Sequence, residues 1–495
     1  MNSKRCPSKR SALTIAVFLI LASQSLNQAV FPQSRPMLAP TPLDDCKPTP
    51  RDYEQCAPPT KKEQTAERDV LKQLLAGGNV EFDPKVLPRT VLRGCFIRKL
   101  LTSKIEIPKK QIVIVGAIFK GPIDLQEEEI PYRVALVNCE FHDDINIKRS
   151  HFSKGLSFAG SSFGSAPYGP GRLDAQSAEI DSDFNMDGCT FKNCMTVFDG
   201  MRINGTWRLI DATFLGDASF QGANVDGSFF AGKGDPNPKR NEFHGIANFS
   251  TLQVRDDAEL GNLAFDGEVV FDDANFRRLS INNSSFKRDV SFKGAKIDEL
   301  YLDRTQFLDK VHLDGLRFQY ISPTSWDQLR SFASSSANYN QEFYLQVEGM
   351  FRRLGLAGEA GEVEITQREE VRKRATWYDW NKYASLLEDW LIGYGYHVRN
   401  LLPLSLVFLV IGFFTFRREA RMQTKKPENA ELFANKYSGF WYNIDLFLPI
   451  IHLGEAQIWT PRYEYRWGIW YKRFHIIAGS LMVPIGLAVL TGIIK

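Results

Sequence analysis

The chain has 495 residues, which is enough for two to four domains. Its 61 basic and 58 acidic residues nearly cancel, so the composition gives no sign of a tail that binds polyanions. The 36 phenylalanines are concentrated in the middle of the chain and in two apolar C-terminal segments.

A secretory signal peptide is predicted over residues 1–25. Lys4, Arg5, Lys9 and Arg10 form a basic start, and an apolar run leads from there to small residues suited to cleavage. The alternative is an uncleaved N-terminal anchor. Both interpretations place the following chain outside the cytoplasm.

Residues 26–90 are predicted to form a Pro-rich arm and then a short helix. In the stretch TAERDVLKQLLAGG, one side of the helix carries Val70, Leu71, Leu74 and Leu75. Gly77 ends the helix. We expect this helix to cover one end of the domain that follows it.

Large apolar residues recur at intervals of five and six between about 211 and 322, and the pattern closes every 21 residues. The columns are Phe265, Phe286 and Phe307, then Phe271, Phe292 and Leu313. Small residues such as Ala274 and Ala295 stand two positions before an inward residue. Residues spaced five apart do not share one face of an α-helix, whose period is 3.6 residues, or one face of a single strand, whose period is 2. It is typical of a chain that turns a corner every five residues, with one large and one small side chain inward on each side.

The predicted fold is therefore mainly β, a quadrilateral β-helix over residues 91–322 with about 21 residues per coil. The single interval of six predicts an extra residue at one corner of each coil. The pattern is less regular before residue 211. Two segments rich in Gly and Pro, 164–172 and 231–241, are predicted to be surface loops.

These repeats resemble the pentapeptide-repeat family, in which a small residue, any residue and then Leu or Phe recur in fives. The resemblance is clearest over 211–322, and it implies a right-handed quadrilateral β-helix. The chain departs from the family pattern in its 21-residue coil and in Val or Leu at some small positions. The resemblance implies little about activity, because function resides in sites and not in folds.

Six cysteines follow the signal peptide, and an even number permits disulfides in an exported protein. Cys46 and Cys56 flank a Pro-rich loop and are the predicted pair. The other cysteines are better explained as core residues. Cys139 and Cys189 occupy the small inward position, and these two and Cys194 are expected to be reduced and inaccessible.

After Pro323 the period becomes helical, and residues 323–399 are predicted to form a helical linker. One helical face carries Phe343, Val347, Met350, Phe351 and Leu354. We expect this helix to cap the upper end of the solenoid. The charged run after it is interpreted as a solvated helical face.

The region 400–495 is predicted to hold two membrane spans, at about 400–416 and 474–494. Basic residues crowd the loop between them, which predicts that this loop faces the cytoplasm of a bacterial inner membrane and the solenoid faces the periplasm. The apolar segment 444–454 in this loop is too short to cross and is an interfacial or re-entrant candidate.

This C-terminal part, from YLQVEGMFRRLG to GSLMVPIGLAVLTGI, also resembles the tail of a bacterial group of membrane-anchored pentapeptide-repeat proteins. Some members of that group carry a tail likened to a two-helix ion channel. The resemblance covers about 150 residues and implies no particular chemistry.

No catalytic, cofactor-binding or metal-binding residue is predicted. Residues 160–164 match G-x-S-x-G by letters, but Phe158 and Phe163 keep the repeat spacing through them, so Ser162 is interpreted as a turn or wall residue. Residues 392–395 are similar to a potassium filter, but they precede the first predicted span and are interpreted as a flexible aromatic junction. Residues 135–320 hold 27 acidic and 20 basic residues, which is too balanced for a mimic of DNA.

The sequence predicts a non-enzymatic, membrane-anchored envelope protein whose extracytoplasmic β-helix is a scaffold or a protein-interaction surface. Its expected partners are the lipid bilayer and an unknown protein, without nucleic acid or cofactor, and the tail permits a homo-oligomer. The alternative is an oligomeric, ion-channel-like or transport-related membrane protein with the β-helix as its sensor domain. An enzyme ranks third.

Overall fold

The computed structural model describes residues 58–82, 90–103, 105–164, 171–193, 195–232, 241–376, 379–380, 382, 386, 401–426, 436–448 and 453–490. Several predicted features lie outside these residues: the signal peptide, the Pro-rich arm with Cys46 and Cys56, Cys194, residues 392–395, and the loop segments 165–170 and 233–240.

Residues 80–322 form a parallel β-solenoid in which each coil adds short strands to four ladders. The first ladder contains β1 (Val80–Glu81), β3 (Gln111–Val115), β7 (Arg133–Val137), β11 (Leu156–Ser157), β15 (Phe184–Asn185), β19 (Trp207–Arg208) and β23 (Phe229–Phe230). The second contains β2 (Val91–Arg93), β4 (Ile118–Lys120), β8 (Glu140–Phe141), β12 (Ser162–Phe163), β16 (Thr190–Phe191), β20 (Thr213–Phe214), β24 (Asn241–Phe243), β27 (Leu263–Phe265), β30 (Ser285–Phe286) and β33 (Gln306–Phe307).

The third ladder contains β5 (Ile123–Asp124), β9 (Ile145–Asn146), β13 (Leu173–Asp174), β17 (Met195–Val197), β21 (Asp217–Ser219), β25 (Ala247–Asn248), β28 (Val269–Val270), β31 (Val290–Ser291) and β34 (Val311–His312). The fourth contains β6 (Glu129–Ile130), β10 (His151–Phe152), β14 (Glu179–Ile180), β18 (Arg202–Ile203) and β22 (Asn224–Val225). Four longer strands then continue the fourth and first ladders together: β26 (Gln253–Glu259), β29 (Asn275–Ser280), β32 (Lys296–Tyr301) and β35 (Arg317–Ser322).

This merging of two ladders explains the coil length. Phe265, Phe286 and Phe307 pair at the predicted 21-residue spacing, but Phe141 pairs with Phe163 at 22. Upstream coils use an extra residue at the corner between the fourth and first ladders, and the pairing of β26 with β29 still carries a register shift there. Phe191 pairs with Phe214 at 23. The predicted period of 21 is therefore correct for the last coils and one or two residues short for the upstream coils without a loop insertion.

The interior confirms the predicted inward positions. The second ladder stacks eight pairs of phenylalanine rings, from Phe119 to Phe307, with centroids 4.5–5.1 Å apart and planes within 19°. Ala274 and Ala295 are fully buried. Each stacked aromatic pair adds about 1 kcal/mol beyond its burial, so the column is a major stabilising element.

Helices cover both ends of the solenoid, as predicted. Helix α1 (Lys61–Leu75) has a capping box between Thr60 and Glu63, and its Val70 and Leu74 join the solenoid core. It begins four residues before the predicted stretch, because Thr60 satisfies the first free N–H groups. Helix α2 (Gly94–Thr102) follows β2, and a 3-10 turn (Pro108–Lys110) precedes β3.

The upper end is covered by α3 (Trp326–Ser334), α4 (Gln341–Arg353) and α5 (Ala357–Arg374). The predicted apolar face of α4 is correct for Phe343, Val347, Met350 and Phe351, which are buried, but Leu354 is exposed. Leu354 caps the helix C-terminus, where the chain turns outward.

The remaining described residues form a helical tail, defined as residues 401–426, 436–448 and 453–490. It contains α6 (Leu401–Phe416), a 3-10 turn (Glu419–Arg421), β36 (Met422–Thr424), α7 (Gly439–Phe447), α8 (Glu455–Ile458), β37 (Trp459–Pro461) and α9 (Arg466–Leu490). Strands β36 and β37 pair antiparallel. Helices α6, α7 and α9 pack against one another.

Of the predicted spans, residues 401–416 form α6 and residues 474–490 form the later part of α9. Neither these nor any other helix within the described residues combines the length and the apolarity needed to cross a membrane. Helix α6 has 16 residues, which at 1.5 Å per residue falls short of a hydrocarbon layer of about 30 Å. The prediction of two spans is therefore not supported by the described helices.

Candidate functional site

Acidic residues at the corners join successive coils. Asp183 Oδ1 accepts a 2.8 Å bond from the backbone N–H of Thr206, and Asp217 Oδ1 accepts one of 2.8 Å from Ile246. Asp272 does the same for Lys293 at 3.1 Å. These three aspartates lie at three different corners of the coil, so no single column of the repeat marks them for this role.

Histidines on the wall form small ion pairs. His244 lies between Asp266, at 2.7 Å, and Glu242, at 3.2 Å. Lys287 also contacts Asp266, and these neighbours lower the pKa of that carboxyl group. His151 Nε2 lies 2.9 Å from Asp181, which raises the pKa of the ring. Within the described ranges, no three His, Cys, Asp or Glu side chains are grouped to hold a metal ion.

Ser162 occupies the position that the repeat spacing predicts. It lies in β12, where its register partners in the adjacent coils are Glu140 and Thr190. A nucleophile elbow requires a strand-to-helix turn, and the next element after β12 within the described residues is the solenoid strand β13. It is a wall residue.

The cysteines divide into two classes. Cys139 and Cys189 are free and buried, as predicted, and burial raises the pKa of the Cys189 thiol. Cys95 is disulfide-bonded, with a partner outside the described residues, so the core interpretation is wrong for this cysteine. It does not follow the small-x-Phe spacing of the other two, which could have separated it from them.

A cleft lies between the last coils and α3. This cap cleft has a volume of about 820 Å3, within the range typical of ligand sites. Its lining combines amide, carboxylate, guanidinium and hydroxyl groups with an apolar floor: Asn282, Asn283, Leu302, Asp303, Arg304, Thr305, Phe307, Pro323, Asp327, Gln328, Leu329, Ser331 and Phe332.

The exposed surface of the tail is unlike that of the solenoid. Within the described residues of the solenoid, large exposed apolar side chains are few, for example Met195 and Leu308. The tail exposes a belt of them, here named the apolar belt: Leu406, Val407, Val410, Ile411, Phe413, Phe414, Phe440, Trp441, Leu453, Tyr463, Trp467, Trp470, Phe474, Ile476, Ile477, Leu481 and Leu487. Exposed basic residues adjoin the end of α6 and the start of α9: Arg417, Arg418, Lys425, Lys426, Arg462, Arg466 and Arg473.

Polar side chains are buried at the centre of the tail. His475 and Asn443 are almost fully buried, and His475 Nε2 lies 3.2 Å from the Asn443 carbonyl. Asn443 Nδ2 donates to the Leu409 carbonyl at 2.8 Å. A Cβ on Gly412 would lie 1.9 Å from Asn443 Oδ1, so glycine allows this approach. Asn443 Oδ1 and His475 Nδ1 have no partner among the described residues.

The chain matches no family model, no curated protein and no solved structure.

Proposed function

We propose that this chain is a non-enzymatic scaffold protein of a bacterial envelope, whose β-solenoid offers a protein-interaction surface while its helical tail attaches it to a lipid bilayer. The resemblance of the repeats to the pentapeptide-repeat family supports the first part. The observation that carries the proposal is the segregation of exposed surface, polar on the solenoid wall and apolar on the tail.

The chemistry of the apolar belt favours lipid as its partner. Seventeen large apolar side chains of the tail are exposed, and exposed apolar surface of this extent marks an interaction site. Exposed tryptophans, such as Trp467 and Trp470, are the residues that membrane–water interfaces enrich. Basic side chains next to the belt, such as Arg466 and Arg473, complement anionic headgroups.

The interior of the solenoid argues for a scaffold role over an enzyme. Its Phe and Ala columns fill the space between the four ladders, and its acidic corner residues are used between coils. What the wall offers is therefore a rigid polar surface.

Flotation with liposomes containing anionic lipid tests the bilayer attachment. We expect the full chain to float with the vesicles and the double variant Leu406→Glu, Ile477→Glu to float much less. These residues are 62% and 58% exposed. The matched control is Leu308→Glu on the solenoid, 67% exposed, which should float like the unchanged chain. Equal flotation of all three proteins, or none by the unchanged chain, would contradict attachment through the belt.

The second candidate is the ion-channel-like or transport-related protein, assembled as an oligomer. The buried His475 and Asn443 favour it, because polar groups inside an apolar helical assembly are costly and often functional. The competing explanation is structural, since His475 packs among the rings of Phe416, Phe447 and Tyr471. Conductance by the reconstituted chain that is lost in His475→Phe would favour the pore. Absence of conductance by the unchanged chain would contradict the channel hypothesis.

A further inference from the structure

The upper end of a solenoid exposes the strand edges of all its ladders, and an uncovered edge is a template for pairing with another chain. The merged first and fourth ladders end at β35, where α4 supplies side-chain partners. Gln346 Nε2 donates to the Leu316 carbonyl at 2.8 Å, and Arg353 donates to that of Gln319 at 2.9 Å. The third ladder ends at β34, where Ala337 donates to the Val311 carbonyl at 2.9 Å. These edges are covered.

The second ladder ends differently. In the coil below, the carbonyls of Ser284 and Phe286 accept 2.9 Å bonds from Gln306 and Leu308 of the terminal coil. The equivalent carbonyls of the terminal coil belong to Thr305 and Phe307. Within the described part of the chain, neither receives a backbone or side-chain bond. The last strand of this ten-stranded ladder, β33, thus leaves its outer edge unpaired.

The unpaired edge opens into the cap cleft. Thr305 and Phe307 line it on one side, and α3 bounds the other. Phe307 also ends the phenylalanine column. The eight members below it are at most 1% exposed, but Phe307 is only partly buried, and the tilted ring of Phe332 lies 5.1 Å from it. The cleft therefore joins a free strand edge to a partly exposed aromatic face.

Arg304, at the corner before β33, is an unusual residue for its backbone conformation. The corner between the first and second ladders takes a left-handed residue in successive coils: Gly116, Asn138, Gly160, Gly188, Asp211, Asn262 and Asn283 precede Arg304. Gly, Asn and Asp tolerate this conformation best, and arginine does not. Arg149, a left-handed arginine at another corner, offsets the strain of this conformation with an ion pair to Glu127 one coil below. Arg304 has Asn283 below it and no ion-pair partner among the described residues.

We propose that the cap cleft binds an extended peptide of a partner protein, which adds one strand to the second ladder beside β33. The ladder itself defines the sequence that fits. In the coils below, this part of the ladder carries a carboxylate or amide at the corner, then a small residue, any residue and an inward Phe. An added strand with the same four positions would lie in register with Arg304, Thr305, Gln306 and Phe307. An acidic corner residue would meet the free guanidinium of Arg304. The peptide class is therefore acidic–small–x–Phe in extended conformation.

This proposal deepens the scaffold function and rests on it. Residues 209–216 of the chain, LIDATFLG, have this pattern, so a fluorescent peptide of that sequence is a suitable probe. In the solenoid, the backbone N–H groups of Thr213 and Leu215 donate to carbonyls of the coil below. Because N–H directions alternate along a strand, the N–H of Phe214 points away from that coil. We expect the full chain to bind this peptide, measured by anisotropy. N-methylation at the Thr213 position should weaken binding about tenfold, and N-methylation at the Phe214 position should have little effect.

Variants of the chain supply the second arm. Arg304→Gly suits the left-handed corner, so its melting temperature should not fall, but it should weaken peptide binding about tenfold by removing one charge-assisted contact. Arg288→Gln is the control, an exposed arginine that does not line the cleft and should bind normally.

The outcomes separate the two proposals. Absence of binding, or equal loss with both methylated peptides, overturns the peptide site. Binding of an oligosaccharide in the cleft, without binding of the peptide, would assign the cleft to a saccharide and would also overturn the proposal. In either case flotation with liposomes still reports on bilayer attachment, so failure of the peptide site is distinguishable from failure of the attachment.

Discussion

Single residues on the wall of this solenoid have one of two roles, set by which way a side chain points at its position in the coil. Residues two apart in a strand share a face, so a small residue and the large residue two positions after it both point inward. The residue between them points outward. Ala295 and Ile297 are buried, and Lys296 between them is exposed. Lys293, at the corner before this strand, is partly exposed.

Ala295→Lys tests the inward register. The substitution places an ammonium group among packed phenylalanines with no partner, and we expect the free energy of unfolding to fall by about 3 kcal/mol or more. Lys293→Gln should change it by less than about 0.5 kcal/mol, since surface changes are usually this small. Urea unfolding followed by circular dichroism measures both. Equal stabilities of the two variants would contradict the register.

His151 is expected to make stability depend on pH. Its hydrogen bond to Asp181 raises the pKa of the ring in the folded state above its ordinary value of about 6.5. The charged ring therefore stabilises the fold fully below that pH, and the effect is lost as pH rises through the raised pKa.

His151→Gln should thus lower the melting temperature more at pH 5.5 than at pH 8.5. The ring is 33% exposed, so the effect should stay below about 1 kcal/mol. Asp181→Asn should show the same dependence. A difference from the unchanged chain that is constant over this range would rule out the assignment.

At the scale of elements, the corners are as regular as the strands. Two of the four corners take a left-handed residue in successive coils. The corner after the third ladder does so at Gly222, Thr251, Asp273, Gly294 and Gly315. Thr251, with φ 55°, is the β-branched exception. A β-branched residue is strained in this region, and glycine is not.

Thr251→Gly should therefore stabilise the solenoid by about 1 kcal/mol, although part of the relief is offset by the greater freedom of glycine in the unfolded chain. Gly222→Ala is the matched control at the same corner. Its Cβ would lie no closer than 3.6 Å to Thr251, so only backbone strain acts, and stability should fall by about 1 kcal/mol. Thermal unfolding measures both. A destabilising Thr251→Gly would show that its hydroxyl bond to Ser250 outweighs the strain.

The regular elements could be predicted because each rests on a local period. The Phe265, Phe286 and Phe307 column, and the apolar face of α4, follow directly from spacing. The merging of two ladders could not be predicted this way, because it depends on pairing between coils. Cys95 was misassigned because a disulfide depends on a distant partner. The cap cleft has no local signal except Arg304, whose departure from Gly, Asn and Asp appears only after the corners are aligned.

At the scale of the whole molecule, two surfaces of opposite character share one chain. The polar wall suits an aqueous compartment, and the apolar belt suits lipid. A signal peptide, as predicted from the sequence, would place the wall outside the cytoplasm, and the excess of basic residues around 417–426 and 462–473 favours the cytoplasmic side for that end of the tail. These two signals are independent of each other, so they can be tested at two positions.

Single-cysteine labelling with a membrane-impermeant maleimide tests both. Lys310 lies exposed on the solenoid and Lys426 lies exposed at the basic end of the tail. In cells with a permeabilised outer membrane, we expect Lys310→Cys to be labelled and Lys426→Cys to be protected until the inner membrane is lysed. The unchanged chain gives the background from its own cysteines. Labelling at both positions would place the basic end outside and contradict the predicted topology, while protection at both would contradict export of the solenoid.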